Sequence, residues 1–381
     1  MDSVGLLERL VAFPTISARS NLPLIGFVRD YLAELGIEAT VLADASGTKA
    51  NLFATIGPSD RPGIMLSGHT DVVPVEGQAW TCDPFTLIER EGKLFGRGAA
   101  DMKGFVACML RAAALAAMRR LATPLQLALS HDEEIGCVGV RAMLEVLARA
   151  PVKPRLCIVG EPTSLAVALG HKGKVAARAT CCGVEAHSAL APEALNAIHL
   201  AADFVNALRA RQAAIAATGP RDPAYDVPFT TIHAGVIHGG TALNIVPNRT
   251  IVDFEIRNIA ADDADRILAD VARDAEAIAA PHRRRFPVAA ICVEVVNAYP
   301  GLDNPTDSEA AAFVRGLLDG APTTKVAFGT EGGLFQQRLG VPAIVCGPGS
   351  MAQGHKPDEF IARTQLDACD RMMDRLLDAL A

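Results

Sequence analysis

Leu125-Gln126-Leu127-Ala128-Leu129-Ser130 runs directly into His131-Asp132-Glu133-Glu134, and further on Leu156-Cys157-Ile158-Val159 runs into Gly160-Glu161-Pro162. A short run that is apolar at nearly every position suits a strand buried on both faces. With a helix expected at about 137–149 between them, the stretch reads as strand, helix, strand. That is the unit of an α/β sheet covered by helices. Sites in such sheets form beyond the carboxyl ends of the strands, which is where Glu133, Glu134 and Glu161 stand.

The same grammar extends outward. Residues 24–36 place Leu24, Phe27, Val28, Tyr31, Leu32 and Leu35 on one helical face, stopped by Gly36. Strands are expected at 38–42, 51–56 and 63–67, the last leading into Ser67-Gly68-His69-Thr70-Asp71. Arg97-Gly98-Ala99-Ala100-Asp101-Met102-Lys103-Gly104 opens a helix at about 102–119, with Asp101 placed as its N-cap. The character changes near Lys174. A strand at 174–183, a helix at 192–212, strands at 229–237 and 249–257, a helix at 262–279 and a strand at 289–296 spell βαββαβ, the ferredoxin-like order. None of the metal-type clusters falls inside it, so it reads as an insertion. The α/β pattern resumes with a helix near 307–318, a strand at 342–346 and a helix at 364–379. Gly354-His355-Lys356-Pro357-Asp358-Glu359 lies between the last two. The expected division is a catalytic domain in two parts, 1–173 and 298–381, around an inserted domain at 174–297.

Composition sets the class. A chain of 381 residues, 50% hydrophobic and 21% charged, is globular rather than disordered. A net charge of −7 without a long basic run argues against a nucleic-acid partner. His282-Arg283-Arg284-Arg285 reads as a solvated loop or helix end. No apolar run reaches the ~18 residues of a membrane span, and the N-terminus lacks the order of a signal peptide, so a cytoplasmic protein is expected. The nine cysteines are an odd number. Cys108, Cys157 and Cys346 read as buried thiols in a reducing compartment. Cys181 and Cys182, adjacent on a strand, should point to opposite faces.

Together the five polar segments offer two histidines and several carboxylates. That is the ligand mix of a hydrolytic site with two divalent metals; imidazole with carboxylate suits Zn²⁺ and similar first-row ions. Taken singly, each segment has an ordinary reading. An Asp-Glu-Glu cluster is a solvated helix start, and a lone histidine after a strand is a core or loop residue. Asp132 keeps its reading as a loop or cap residue.

Taken in order, Gly68-His69-Thr70-Asp71-Val72-Val73-Pro74, Gly96 to Gly104, Asp132-Glu133-Glu134-Ile135-Gly136, Gly160-Glu161-Pro162-Thr163 and Gly354-His355 resemble the co-catalytic metallopeptidase family M20 over nearly the whole chain. The resemblance implies a mixed, mostly parallel sheet of the zinc-exopeptidase kind with an inserted ferredoxin-like lid and dimerisation domain. It implies two divalent metal ions, Zn²⁺ with Co²⁺ as a substitute. Asp101 would bridge them, His69 and Glu161 completing one site and Glu134 and His355 the other. Asp71 would orient His69, and Glu133 would be the general base. The substrate would be a small N-acyl amino acid and the assembly a homodimer. Within the family, Phe328-Gly329-Thr330-Glu331-Gly332-Gly333-Leu334-Phe335-Gln336 and Cys346-Gly347-Pro348-Gly349-Ser350 point to hydrolysis of N-acetyl-L-ornithine to L-ornithine and acetate, in arginine biosynthesis. Acetylcitrulline, succinyl-diaminopimelate and dipeptides are the alternative substrates. A non-catalytic binding module would need neither Glu133 nor Asp71.

The remaining expectations concern substrate. His187, in Gly183-Val184-Glu185-Ala186-His187-Ser188-Ala189, resembles the family's lid motif and would stabilise an oxyanion in the partner subunit; the plain alternative is a surface histidine. Asn244 is a substrate or oxyanion contact, or a turn residue. Arg257 grips an α-carboxylate bidentately, or forms a strand-end salt bridge. Glu331 pairs with the δ-ammonium while Gly332 and Gly333 offer backbone N–H groups to a carboxylate; the alternative is a glycine turn with an exposed Glu. Asn248 stands where the family usually has an acid.

Overall fold

The computed structural model describes residues 1–381, and the chain divides into two compact units, Met1–His171 with Leu302–Ala381, and Lys172–Gly301. In the first unit nine strands share one mixed sheet. Across it run β1 (Ala39–Ala43), β2 (Ala50–Ile56), β6 (Leu125–Ser130), β3 (Ile64–His69), β7 (Leu156–Pro162), β15 (Ala343–Gly347), β8 (Val167–His171) and β13 (Leu302–Asp303), with β14 (Thr323–Val326) also on β8. The central strands β6, β3, β7 and β15 are parallel to one another, and every residue in them is buried. Antiparallel pairs flank this centre on both sides. Apart from the short β14, which pairs parallel with β8, parallel character belongs to the central strands whose sequences are apolar on both faces, as burial by helices requires.

The helix Lys103–Ala117 lies on this sheet at close range, which its alanines at 107, 112, 113 and 116 permit. Contact is tightest beside Glu161: a Cβ at Gly160 would sit 1.9 Å from the Phe105 ring. Only glycine lets the helix settle there. The C-terminal helix Arg363–Leu380 buries Leu366, Cys369, Met373, Leu376, Leu377 and Leu380 at intervals of three and four. Its thiol Cys369 joins Cys108 and Cys346 in the core as free cysteines.

Three features depart from the sequence reading. The helix after Asp101 begins at Lys103, with Met102 at the N-cap position and no side-chain cap, so Asp101 does not act as its cap. The segment from Gly332 to Leu339 is a helix with Glu331 at its N-cap position, not a glycine turn. A small three-stranded sheet of β4 (Ile88–Arg90), β5 (Lys93–Phe95) and β16 (Phe360–Ala362) was not foreseen.

In the second unit β9 (Gly173–Cys182), the helix Ala197–Thr218, β10 (Thr231–Gly239), β11 (Arg249–Asn258), the helix Ala264–Ala279 and β12 (Ala290–Tyr299) follow in that order. The sheet order β10-β11-β9-β12, antiparallel throughout, is the ferredoxin-like arrangement. Along β9, Val175, Ala177, Ala179 and Cys181 are buried, while Cys182 takes the other face. Asn248 donates to Glu185 at 2.9 Å. No helix of the chain is long and apolar enough to cross a membrane.

Candidate metal centre

The parallel strands deliver the polar residues to one end of the sheet. His69 is the last residue of β3, Glu161 lies near the end of β7, and Glu133 and Glu134 follow β6. Asp101 precedes its helix, and His355 sits in the connection between β15 and β16. His69 Nε2 lies 3.0 Å from Asp101 Oδ1 and 3.8 Å from Glu161 Oε1. His355 Nε2 lies 3.1 Å from Asp101 Oδ2 and 3.0 Å from Glu134 Oε2. The two oxygens of Asp101 therefore face different histidines, the disposition a bridging carboxylate needs. Donor atoms of His69, Glu133 and Glu161 lie within 4.8 Å of one another, as do those of His69, Asp101 and Glu134. Glu133 thus sits as near the centre as the expected ligands.

Asp71 holds the scaffold. Its oxygens accept from the backbone N–H groups of Glu133 (3.1 Å) and Glu134 (3.3 Å) and from Ser17 Oγ (2.7 Å). His69 Nδ1 is 2.9 Å from the Asp71 carbonyl and 3.6 Å from its carboxylate. These contacts leave Nε2, the face toward Asp101, as the nitrogen available to a cation. One loop residue fixes both the imidazole and the Glu133–Glu134 backbone. Asp132 keeps its structural role, pairing with Lys49 and lying 3.2 Å from His131 Nδ1.

The electrostatics favour cations. Burial, reinforced by neighbouring carboxylates, lifts Glu133 to about 8 and Glu134 to about 7, and raises Glu161 well above the usual carboxyl range. Burial opposes charge on His69 as well, but the Asp101 hydrogen bond and the Glu161 charge outweigh it and raise its pKa. Hydrogen bonds to Asp101 and Glu134 bring His355 to about 10. Against its own burial, Asp101 is held low by hydrogen bonds from His355 and His69. Glu161 Oε1 is buried with no hydrogen-bond partner. Unpaired buried carboxylate is costly unless a cation compensates it. Two oxygen-rich sets, each with an imidazole, fit divalent first-row metals.

Two neighbours complete the surroundings, Cys137 without a sequence signature and Glu331 already expected to meet the substrate. Cys137 Sγ donates to Glu133 Oε1 at 3.2 Å, anchoring the general-base candidate. Glu331 is 1% exposed, its Oε2 lies 3.4 Å from Ser67 Oγ, and its Oε1 has no partner; burial lifts its carboxyl to about 7. The exposed-turn reading of Glu331 is therefore wrong. So is the backbone role given to its glycines: Gly332 N donates to Thr330 Oγ1 (3.0 Å) and Gly333 N to His171 Nε2 (3.1 Å), leaving neither for a substrate carboxylate.

His187, Asn244 and Arg257 belong to the second unit. His187 caps a short 3₁₀ turn through Nδ1, and Ser188 N donates to the Asn244 carbonyl at 2.9 Å, so the two segments pair. Arg257 is held by Glu255 at 3.1 Å and Tyr299 at 2.9 Å, the strand salt bridge its position allows.

Known proteins share both sequence and fold. A model of peptidase family M20/M25/M40 matches residues 65–379. The chain is 34% identical to an acetylornithine deacetylase of Proteus mirabilis, covering 98% of this chain and 96% of that protein. It is 36% identical to an acetylornithine deacetylase of Myxococcus xanthus, covering 97% and 95%. The fold matches an M20 family metallo-carboxypeptidase of Sulfolobus solfataricus with a TM-score of 0.80 at 17% identity, covering 99% of each chain.

Proposed function

Because the chain belongs to peptidase family M20/M25/M40, we propose that it is a metal-dependent amidohydrolase that converts N-acetyl-L-ornithine and water to L-ornithine and acetate. The observation that carries the chemistry is the pair of donor sets meeting at Asp101, with Glu133 beside them. His69, Asp101 and Glu161 would hold one divalent cation and Asp101, Glu134 and His355 the other. Zn²⁺ is the proposed ion, with Co²⁺ as a substitute. Such ions polarise the amide carbonyl and acidify the attacking water. The protein's own share is proton transfer. Glu133 takes a proton from the water and returns it to the leaving nitrogen, with its carboxylate oriented by the Cys137 thiol. Asp71 holds His69 and the Glu133 backbone in register through both steps.

The substrate assignment follows the deacetylases to which the chain is similar along its length, and arginine synthesis in the cytoplasm is the setting we propose for it. Glu331 adds a reason for a cationic substrate. Its buried, unpartnered oxygen is a ready acceptor for the δ-ammonium. Comparing kcat/KM for acetylornithine, acetylcitrulline and succinyl-diaminopimelate tests this; equal values would remove the assignment. Glu331→Gln is expected to lose more activity on acetylornithine than on neutral acetylcitrulline. The same variant should gain thermal stability at alkaline pH. A carboxyl raised from 4.5 to about 7 by burial contributes stability below pH 4.5 that is lost as pH rises through 7. The gain, on the order of 3 kcal/mol at pH 8 and vanishing near pH 4.5, is read from melting curves.

A homodimer through the second unit is part of the proposal. Strand β10 lies at a sheet edge with Val236 and Ile237 exposed, and Val295 and Val296 are exposed on the opposite edge strand. Exposed apolar edges are surfaces that proteins ordinarily cover. Sedimentation at micromolar concentration is expected to give twice the mass of the 40.0 kDa chain, and a monomer would refute it.

A further inference from the structure

Arg97 and Glu359 are both 1% exposed and form an ion pair at 2.7 Å, Nη1 to Oε2. Neither is a metal ligand, yet their loops carry two of them, Asp101 and His355. Glu359 spends its acceptors on the Asp101 loop: Oε2 takes the N–H of Gly98 (3.1 Å), and Oε1 takes those of Ala100 (2.9 Å) and Asp101 (3.0 Å). The Glu359 carbonyl also accepts from Gly96 N at 2.9 Å. Pairing of Phe95 with Phe360 in the small sheet zips the two stretches together just outside. On the other side, Arg97 Nη1 reaches the Lys356 carbonyl at 3.4 Å and Nη2 donates to Gln78 Oε1. Gln78 closes the circuit by donating from Nε2 to the His355 carbonyl at 3.0 Å. Trp80 donates to Gln78 at 3.0 Å, and its ring lies under the Arg97 guanidinium at 5.0 Å.

We propose that Arg97, Glu359 and Gln78 form a positioning strut that fixes the His355 loop against the Asp101 loop and thereby sets affinity for the metal held by His355. The physical case is one of enforced distance. His355 is the most exposed of the expected ligands, with 45% of its side-chain surface open, and its backbone stands at φ 61°, in the left-handed region. Nothing in its own conformation holds it there. The Gln78 bond to its carbonyl and the Arg97 bond to the next carbonyl supply that restraint. The inference rests on the two-metal reading of the site.

The test titrates chelated enzyme with Co²⁺ alone, following d–d absorption and heat, in the parent, Gln78→Leu and Glu359→Gln. Gln78 lies at the rim, so Gln78→Leu is expected to fold with an unchanged melting temperature in chelator. One of its two Co²⁺ dissociation constants should rise roughly 10–100-fold, as loss of an orienting partner does, while the other stays put. Activity should recover at saturating metal with substrate KM unchanged. Glu359→Gln turns an amide N–H₂ toward backbone donors and should weaken both ions. If Gln78→Leu binds both ions as the parent does, the strut is refuted, whatever Glu359→Gln does to folding. A parent that binds no divalent cation overturns the metal reading and the strut together; a parent that binds two, with Gln78→Leu unchanged, overturns the strut alone.

Discussion

Glu133→Gln is expected to lower kcat on N-acetylornithine by about 10³-fold, the middle of the range general acid–base catalysis supplies, with little change in KM. The substitution keeps shape and removes the group that accepts and returns the proton. Cys137 can still approach the side chain, and Asp71 still holds the backbone N–H, so the site stays built. The loss should therefore fall on kcat, as expected for an interaction made only in the transition state, and metal content should equal the parent's. Steady-state kinetics with metal analysis on one preparation decides it. A kcat within a few-fold of the parent's would transfer the proton to another group; a parallel loss of metal would make Glu133 a ligand, a role its distance to His69 and Glu161 permits.

Asp101→Ala should have the other large effect. Its two oxygens face His69 and His355 separately, so the variant strips both sets at once. Metal affinity should fall by more than the roughly 10–100-fold that loss of an outer hydrogen-bonding partner costs. Activity should not return in excess Zn²⁺. Glu161→Ala, by contrast, removes one set's carboxylate and should leave the other ion bound. Metal-to-protein ratios after dialysis separate the cases, and two ions per chain retained by Asp101→Ala would end the bridging assignment.

Much of this was legible in the sequence because the informative signals were local. Strands β3, β6 and β7 are buried on both faces, so their apolar runs are nearly unbroken and their ends are easily found. The ferredoxin-like order of the second unit followed from the succession strand, helix, strand, strand, helix, strand. Ambiguity arose where one residue type serves two ends. An aspartate before a helix looks the same whether it caps the helix or faces other polar side chains, and only the fold shows Asp101 standing between His69 and His355. Glu331 beside two glycines allowed two readings, a carboxylate that meets the substrate and an exposed turn. Its burial depends on Ser67 and on a helix whose start has no capping signal. Cys137 was invisible for the same reason, since its partner is set by a positive-φ turn at Cys137 itself. Strands β5 and β16 are three residues each, too short to show a period.

The order of strands in the main sheet also bears on how the chain is made. β7 has β15 as its neighbour, yet residues 163–342, about 180 of them, separate the two in the sequence. At ~5–20 residues per second a ribosome needs roughly 10–35 s to cover that distance. For that interval β7 has a finished partner on one side and a bare, apolar, hydrogen-bonding edge on the other. The nascent chain is then most open to pairing with a stranger, and cover by a chaperone has the most to protect.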